Sequence, residues 1–329
     1  MKLCRRRVLQ LAAGAATLPA VSRLAKAHPY PTRPVRWIVP MSAGAPPDIV
    51  ARTMAQWLSE RLGQPFVVEN RPGAGGTIGT EAVVRAPADG HTLLAMAPSS
   101  AINATLFATL YEKLNFNVVR DIAPVATFTR QAQVMVVNPS FPARTVPEFI
   151  AYAKENPAKI NMASNGIGTG QHVAGELFKM MTGVNMVHVP YRGGASAIAA
   201  LIAGQVQVMF TSPFGLIEYI SDGKLRALAV TTVTRSEALP DVPPVGDFVP
   251  GYEVISWFGI GAPTNKPAEI VDKLNREINA ALADPRMKAR ISDMGATPFV
   301  SSPADFGKFI ADETEKWANV IKFAGLKAD

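Results

Sequence analysis

The sequence predicts an α/β protein of two lobes, in which the chain leaves a first lobe, builds a second of the same kind and returns. Three observations predict it. Strand and helix patterns alternate from Val35 onward, a long β-prone run from Val125 to Val137 interrupts them as a hinge strand, and Trp257 to Ala262 follows a proline-dense stretch as the return crossing.

The first lobe opens with a short apolar run, Val35 to Val39, and a loop of small residues. An amphipathic helix then begins near Pro47-Asp48, with Ile49, Val50, Met54, Trp57 and Leu58 at core spacing. Phe66 to Glu69 reads as a strand, Thr77 to Arg85 as a helix, and Thr92 to Ala97 as a strand with Pro98-Ser-Ser100 at its end. This βαβ rhythm predicts a mostly parallel sheet covered on both faces. After the hinge run, helices are expected over Val146 to Lys154, Gln171 to Thr182, Ala195 to Ala203 and Gly215 to Ser221. Strands are expected over Ile160 to Ala163, Met186 to Val189, Val206 to Phe210 and Leu225 to Val230. Leu239 to Pro250 is too rich in proline for regular structure. Two closing helices, Pro267 to Ala283 and Pro303 to Phe323, each open on a proline suited to a first turn and are expected to pack back on the first lobe. The expected lobes are 28–128 with 256–329, and 129–255. Such lobes enclose a cleft that can close around a ligand.

Residues 1–27 read as a signal peptide, with a basic start (Arg5, Arg6, Arg7), an apolar run from Val8 to Val21 and an Ala25-Lys-Ala27 cleavage pattern. The apolar run is shorter than the ~20 residues a membrane span needs. Arg-Arg-Arg-Val-Leu-Gln fits a twin-arginine signal or a general secretory one, and the mature chain is expected in the periplasm. Lys2, Arg5, Arg6, Arg7, Arg23 and Lys26 lie in this segment with no acid, so its removal takes the formal charge from +7 to +1. Without a clustered basic face, no nucleic-acid partner is expected. The single cysteine, Cys4, is also lost with the leader, which excludes disulfides, thiolate metal sites and a cysteine nucleophile from the mature protein.

Four loops combine small residues with hydroxyls ahead of a helix: Met41 to Asp48, Ser99-Ser100 with Asn103, Asn165 to His172, and Tyr191 to Ser196. Ligands of open α/β sheets sit outside the carboxyl ends of the strands, where these loops fall. Ser42, Ala43 and Gly44 offer backbone and hydroxyl donors, backed by a helix N-terminus, to an anion such as a carboxylate; the plainer reading is a tight turn. Asp48 reads as a cap or first-turn charge, with ligand contact as the alternative. In the third loop Gly166, Gly168 and Gly170 allow close backbone approach, Thr169 offers a hydroxyl and His172 starts the next helix as a contact or a structural residue. Tyr191 and Arg192 could close over a ligand, and Ser212 in Thr211-Ser-Pro213 is a further candidate.

Gly73-Ala-Gly-Gly-Thr-Ile-Gly79 has the spacing G-x-G-x-x-x-G and not the dinucleotide G-x-G-x-x-G, so a packing or turn role is expected, with the cleft wall as the alternative. No G-x-S-x-G elbow, H-E-x-x-H pair or P-loop is present, and no catalytic set, metal site or cofactor is expected.

Several segments in order resemble one family: Pro40-Met-Ser-Ala-Gly44 through Asp48-Ile-Val-Ala-Arg52, Glu69 to Gly79, Pro87-Ala-Asp-Gly-His-Thr-Leu-Leu94, His172 to Phe178, His188-Val-Pro-Tyr-Arg-Gly-Gly194, Leu225 to Val230 and Trp257 to Pro263. Over essentially the full mature length the chain resembles the Bug/TctC-like extracytoplasmic receptors of tripartite tricarboxylate transport systems. The resemblance implies a type II periplasmic-binding-protein fold, of the Venus-flytrap kind, and reversible capture of a small organic acid. One end would be held, often through water, by Met41, Ser42, Ala43 and Asp48, and the other by Gly168, Thr169 and His172. The implied partners are a small carboxylated ligand and membrane permease subunits, with the receptor acting as a monomer and not as an enzyme. The chain departs from the family in having Gly44-Ala45 where a Gly-Gly pair is usual and Met41 where an aromatic is common. Citrate, an aromatic or nicotinate-like carboxylate and a longer aliphatic diacid all remain open. The rival functions are an exported enzyme with a nucleotide-type cofactor and a sensory receptor of the same fold.

Overall fold

The computed structural model describes residues 30–108 and 115–327, so the expected leader lies outside the described residues. Two mixed sheets organise the chain. In the first, β1 (Val35–Val39), β2 (Phe66–Asn70) and β3 (Thr92–Met96) alternate with α1 (Pro46–Leu62) and α2 (Thr77–Val84). The helix α3 (Pro98–Leu106) and the short α4 (Val118–Asp121) lead to β4 (Ile122–Ala132). The second lobe contains β5 (Val134–Val137), α5 (Val146–Glu155), β6 (Ile160–Ser164), α6 (Gly170–Thr182), β7 (Met186–Pro190) and α7 (Gly194–Ile202). It continues with β8 (Val208–Thr211), α8 (Ile217–Ser221) and β9 (Arg226–Val230). The return strand β10 (Ile255–Pro263) precedes α9 (Ala268–Ala283), α10 (Pro285–Asp293), β11 (Thr297–Pro298) and α11 (Pro303–Ala324).

The strand orders are β11-β4-β10-β3-β1-β2 and β7-β6-β8-β5-β9. The sheets are mixed, and not mostly parallel as the βαβ rhythm predicts. Only β2, β1 and β3 in the first sheet, and β7, β6 and β8 in the second, run parallel. The outgoing strand β4 lies beside the returning β10, and two neighbours carrying the chain in opposite directions must pair antiparallel. For the same reason β5, entering from the first lobe, opposes β8 and β9.

The expected hinge strand divides at Gln133, with β4 in one sheet and β5 in the other. Three segments knot together there. Gln133 N donates to Thr231 Oγ1 at 2.8 Å, Thr231 N to Gln133 O at 2.9 Å and Val254 N to Thr231 O at 2.8 Å. The polar backbone of the crossing is thus satisfied within the protein.

Besides the one-turn α4, two helices are not predicted by the sequence patterns. One is α3, where only the end of a strand was expected: Pro98 occupies its first turn and Ser100 Oγ accepts from Ala97 N at 3.3 Å, so small polar residues start a helix whose buried face is Ala101, Ile102 and Leu106. The other is α10, begun by Asp284, whose side chain accepts from Arg286 N.

The closing helices also differ in what they touch. Leu274, Ile278 and Leu282 of α9 enter the first lobe's core as expected. The last helix, α11, joins Phe306, Ile310, Trp317 and Val320 to a single apolar cluster that includes Met96 and Leu106 of one lobe and Phe178, Phe210 and Tyr252 of the other. Burying a side chain of this size stabilises by about 1.5–3 kcal/mol. The helix is therefore a strap across both lobes, on one side of the hinge.

Candidate functional site

Past β1 the chain turns through Met41–Gly44 into α1, and buried Asp48 organises that turn. Gly44 N donates to Asp48 Oδ2 at 2.8 Å, Asn70 Nδ2 donates to Asp48 Oδ1 at 2.9 Å and to Met41 O at 3.1 Å, and Arg52 pairs with the same carboxylate at 3.0 Å. Burial pushes the Asp48 carboxyl up, but the bonds from Arg52, Gly44 N and Asn70 outweigh it and hold it below its ordinary range. Ser42, Ala43 and Gly44 are exposed, while Met41 packs on the first lobe's core.

The start of α1 supplies fewer donors than the sequence reading expected. Its first two residues, Pro46 and Pro47, carry no N–H, and the next two N–H groups, of Asp48 and Ile49, return to Ala45 O. The helix dipole remains, but the donors of this turn are those of Ser42 and Ala43.

In the second lobe the Asn165–His172 loop is bonded largely to itself. Asn165 N donates to Gln171 Oε1 at 2.9 Å, Gly166 N to Ser164 Oγ at 3.1 Å and Gly168 N to His172 Nδ1 at 3.3 Å. Thr169 caps α6 by accepting from His172 N and donates its hydroxyl to Gly166 O at 2.8 Å. The N–H groups of Gly166 and Gly168 are therefore engaged. Gly170 and Gln171, in the first turn of α6, keep theirs directed out of the helix. His172 is buried, its ring stacked on His188 with centroids 3.6 Å apart and planes within 9°.

The first lobe meets this loop through α3. A Cβ on Gly170 would lie 3.7 Å from Pro98 and 3.3 Å from Gln133 Nε2, and one on Gly168 would lie 3.3 Å from Asn103 Oδ1. Asn103 Nδ2 donates to Gly75 O at 2.5 Å. The N-termini of α3 and α6 thus converge from opposite lobes on Gln133, with half-buried Ser99 and Ser100 in the first turn of α3. Gly79 sits against Pro40 and the Arg71 carbonyl, where a Cβ would come within 2.8 Å of backbone, so the Gly73–Gly79 segment packs closely.

Residues the sequence reading missed complete the wall. Gln131 Nε2 donates to Ser212 Oγ at 3.0 Å, Gln133 Nε2 to Ser256 Oγ at 3.3 Å and Gln171 Nε2 to Thr211 Oγ1 at 3.0 Å. Thr129 Oγ1, Gln133 Oε1 and Asn165 Oδ1 are buried without a protein partner. The signal was present in the hinge run, where Thr129, Gln131 and Gln133 recur at every second position and so share one face of the strand. Gln131 also lines a narrow, open groove between the lobes, together with Pro46, Ile49, Thr129, Phe214, Phe258 and Met294. Tyr191 is half-buried against the second lobe's core and Arg192 is exposed. Among the described residues no His, Cys, Asp and Glu gather as a metal site.

The sequence profile described as "Tripartite tricarboxylate transporter family receptor" matches residues 50–326. Protein BugT of Bordetella pertussis is 36% identical over 302 residues, 92% of each chain. Among solved structures, R. palustris Rpa4515 with adipate is 34% identical with a TM-score of 0.80, covering 91% of this chain and 99% of that one. MatC from Rhodopseudomonas palustris with bound malate is 30% identical with a TM-score of 0.77, covering 89% and 100%. The two mixed sheets and their hinge are accordingly the type II periplasmic-binding-protein fold, and the chain belongs to the TctC/Bug family of solute-binding receptors.

Proposed function

We propose that the protein is a periplasmic receptor that captures a small carboxylic acid between its lobes and presents it to membrane permease subunits of a tripartite transporter. The observation that carries this is the convergence of the α3 and α6 N-termini on Gln133, a place with neutral donors and no lysine or arginine among the residues that meet there. Two helix dipoles and a set of amide and hydroxyl groups suit one carboxylate. A trianion would need more compensation than neutral groups supply. The preferred ligand is therefore a mono- or dicarboxylate, and adipate and malate, found with two relatives, are the natural first probes.

In this reading the lobes are those expected from the sequence, except that the outgoing boundary moves from Thr129 to Gln133, where the two sheets part, and the leader ends at Ala27. Ser42 and Ala43 meet the far end of the ligand, and Gly44 and Asp48 shape that turn. Ser99, Gly170 and Gln171 hold the near carboxylate. Ser100, Asn103, Gly168, Thr169 and His172 fix the loops, with Tyr191 and Ser212 at the rim. The buried acceptors Gln133 Oε1 and Asn165 Oδ1 favour an acid that also carries a hydroxyl.

Thermal denaturation of the mature protein against a panel of mono-, di- and tricarboxylates tests this. A ligand that binds only the folded state adds RT ln(1 + [L]/Kd), so at least one mono- or dicarboxylate should raise Tm with concentration, and malate more than succinate. A flat panel, or a response to tricarboxylates alone, would count against the proposed ligand class.

A further inference from the structure

His188, on the edge strand β7, has no place in the binding scheme above, yet its side chain is aimed at the loop that scheme depends on. Its Nε2 lies 2.6 Å from Ser164 Oγ. That hydroxyl also touches both ends of one peptide residue, accepting from Gly166 N and donating to Gly166 O, each at 3.1 Å. A serine hydroxyl has one proton and two acceptor sites. All three contacts are satisfied at once only if His188 carries its proton on Nε2, donating to Ser164. The opposite tautomer would compete with Gly166 O for the single hydroxyl proton.

The other face of the arrangement is His172, whose Nδ1 accepts from Gly168 N and whose Nε2 points at Glu176 Oε1, 3.6 Å away. The two rings stack in parallel. Burial, and after it the neighbouring His172, push the His188 imidazole down to about 4, so it is neutral near neutral pH and stacks without charge repulsion. Two histidines in contact therefore govern the Gly166 and Gly168 peptides from opposite sides.

We propose that His188 is a positioning residue of the ligand loop: through Ser164, and stacked on His172, it fixes the Gly166 and Gly168 peptides so that α6 presents its first-turn N–H groups to the cleft. The importance of this loop for binding rests on the proposed function; its geometry does not.

The test uses the full mature chain and three variants. His188→Phe keeps an aromatic ring on His172 but removes Nε2, Ser164→Ala removes the relay and His188→Gln restores an amide donor. Site-resolved amide hydrogen exchange is measured without ligand, followed by calorimetric titration with adipate and malate. Gly166 and Gly168 should exchange about tenfold faster in His188→Phe and Ser164→Ala, while the hinge amides of Thr231 and Val254 stay as in wild type. His188→Gln should return loop exchange to near wild type, and affinity for whichever acid binds should follow the same order.

Unchanged loop exchange in His188→Phe would overturn the proposal. So would loop and hinge amides accelerating together, which marks a general structural role, or a His188→Gln variant behaving like His188→Phe. If wild type binds neither acid, the carboxylate reading suffers, while the exchange measurements still decide the role of His188.

Discussion

Gln131 of β4 donates to Ser212, just past β8, at 3.0 Å, and this bond links the strand leaving the first sheet to a loop of the second lobe. It spans the mouth of the groove that Pro46 and Phe214 also line. Because it joins the lobes and lies outside either core, its loss should loosen the contact between the lobes without unfolding the protein. Gln131→Ala is expected to weaken ligand binding about 5- to 10-fold, the equivalent of one hydrogen bond, with Tm nearly unchanged; titration calorimetry and thermal denaturation check the two halves of this expectation.

Gly168 holds φ at +73°, and a Cβ there would sit 2.5 Å from Leu106 Cδ2 of the opposite lobe. Gly168→Ala therefore combines backbone strain with a clash that pushes the lobes apart. Stability should fall by about 1–3 kcal/mol in urea titrations, and affinity should fall with it. Trimming the clash with Leu106→Ala should recover part of the affinity.

On the opposite side of the hinge, buried Glu313 accepts from Trp317 Nε1 at 2.9 Å and from Trp257 Nε1 at 3.4 Å. Lys316 ties the same turn of α11 to the Glu253 carbonyl at 2.7 Å, beside the returning crossing. Glu313→Ala leaves two buried indole N–H groups unpaired and should cost about 2–3 kcal/mol, read by urea denaturation with tryptophan fluorescence.

Acid should destabilise the protein through His188. Its folded-state value, about 4, lies below the ordinary 6.5, so between these the unfolded chain binds a proton that the folded one refuses. Stability is full above pH 6.5 and falls as pH drops toward 4, by about 1–2 kcal/mol once the solvent reaching the half-buried ring is allowed for. His188→Phe should flatten this part of the pH profile.

The order of elements was legible because core-facing residues recur at helical or strand spacing, as in α9 with Leu274, Ile278 and Leu282. Strand direction was not, since the pairing of β4 with β10 joins segments far apart in the chain and no local pattern encodes it. The helix α3 stayed hidden because Pro98-Ser-Ser is as good a turn as a helix start. Within the site, loop positions could be read from small residues at strand ends. What could not be read was how their donors are spent: Pro46 and Pro47 remove two, and His172 and Ser164 engage those of Gly168 and Gly166. Gln131 and Gln133 were visible as polar residues on one face of the hinge run, but their meaning depends on two lobes meeting around them.

The proposed function stands or falls with a small carboxylate binding where α3 and α6 converge on Gln133. Titration calorimetry of the mature protein and of Gln133→Leu, with the acid that raises Tm most, tests it most directly. One-to-one binding by wild type with at least a tenfold loss in Gln133→Leu, at unchanged fold, is the predicted result. Equal affinity in the two proteins would contradict the claim.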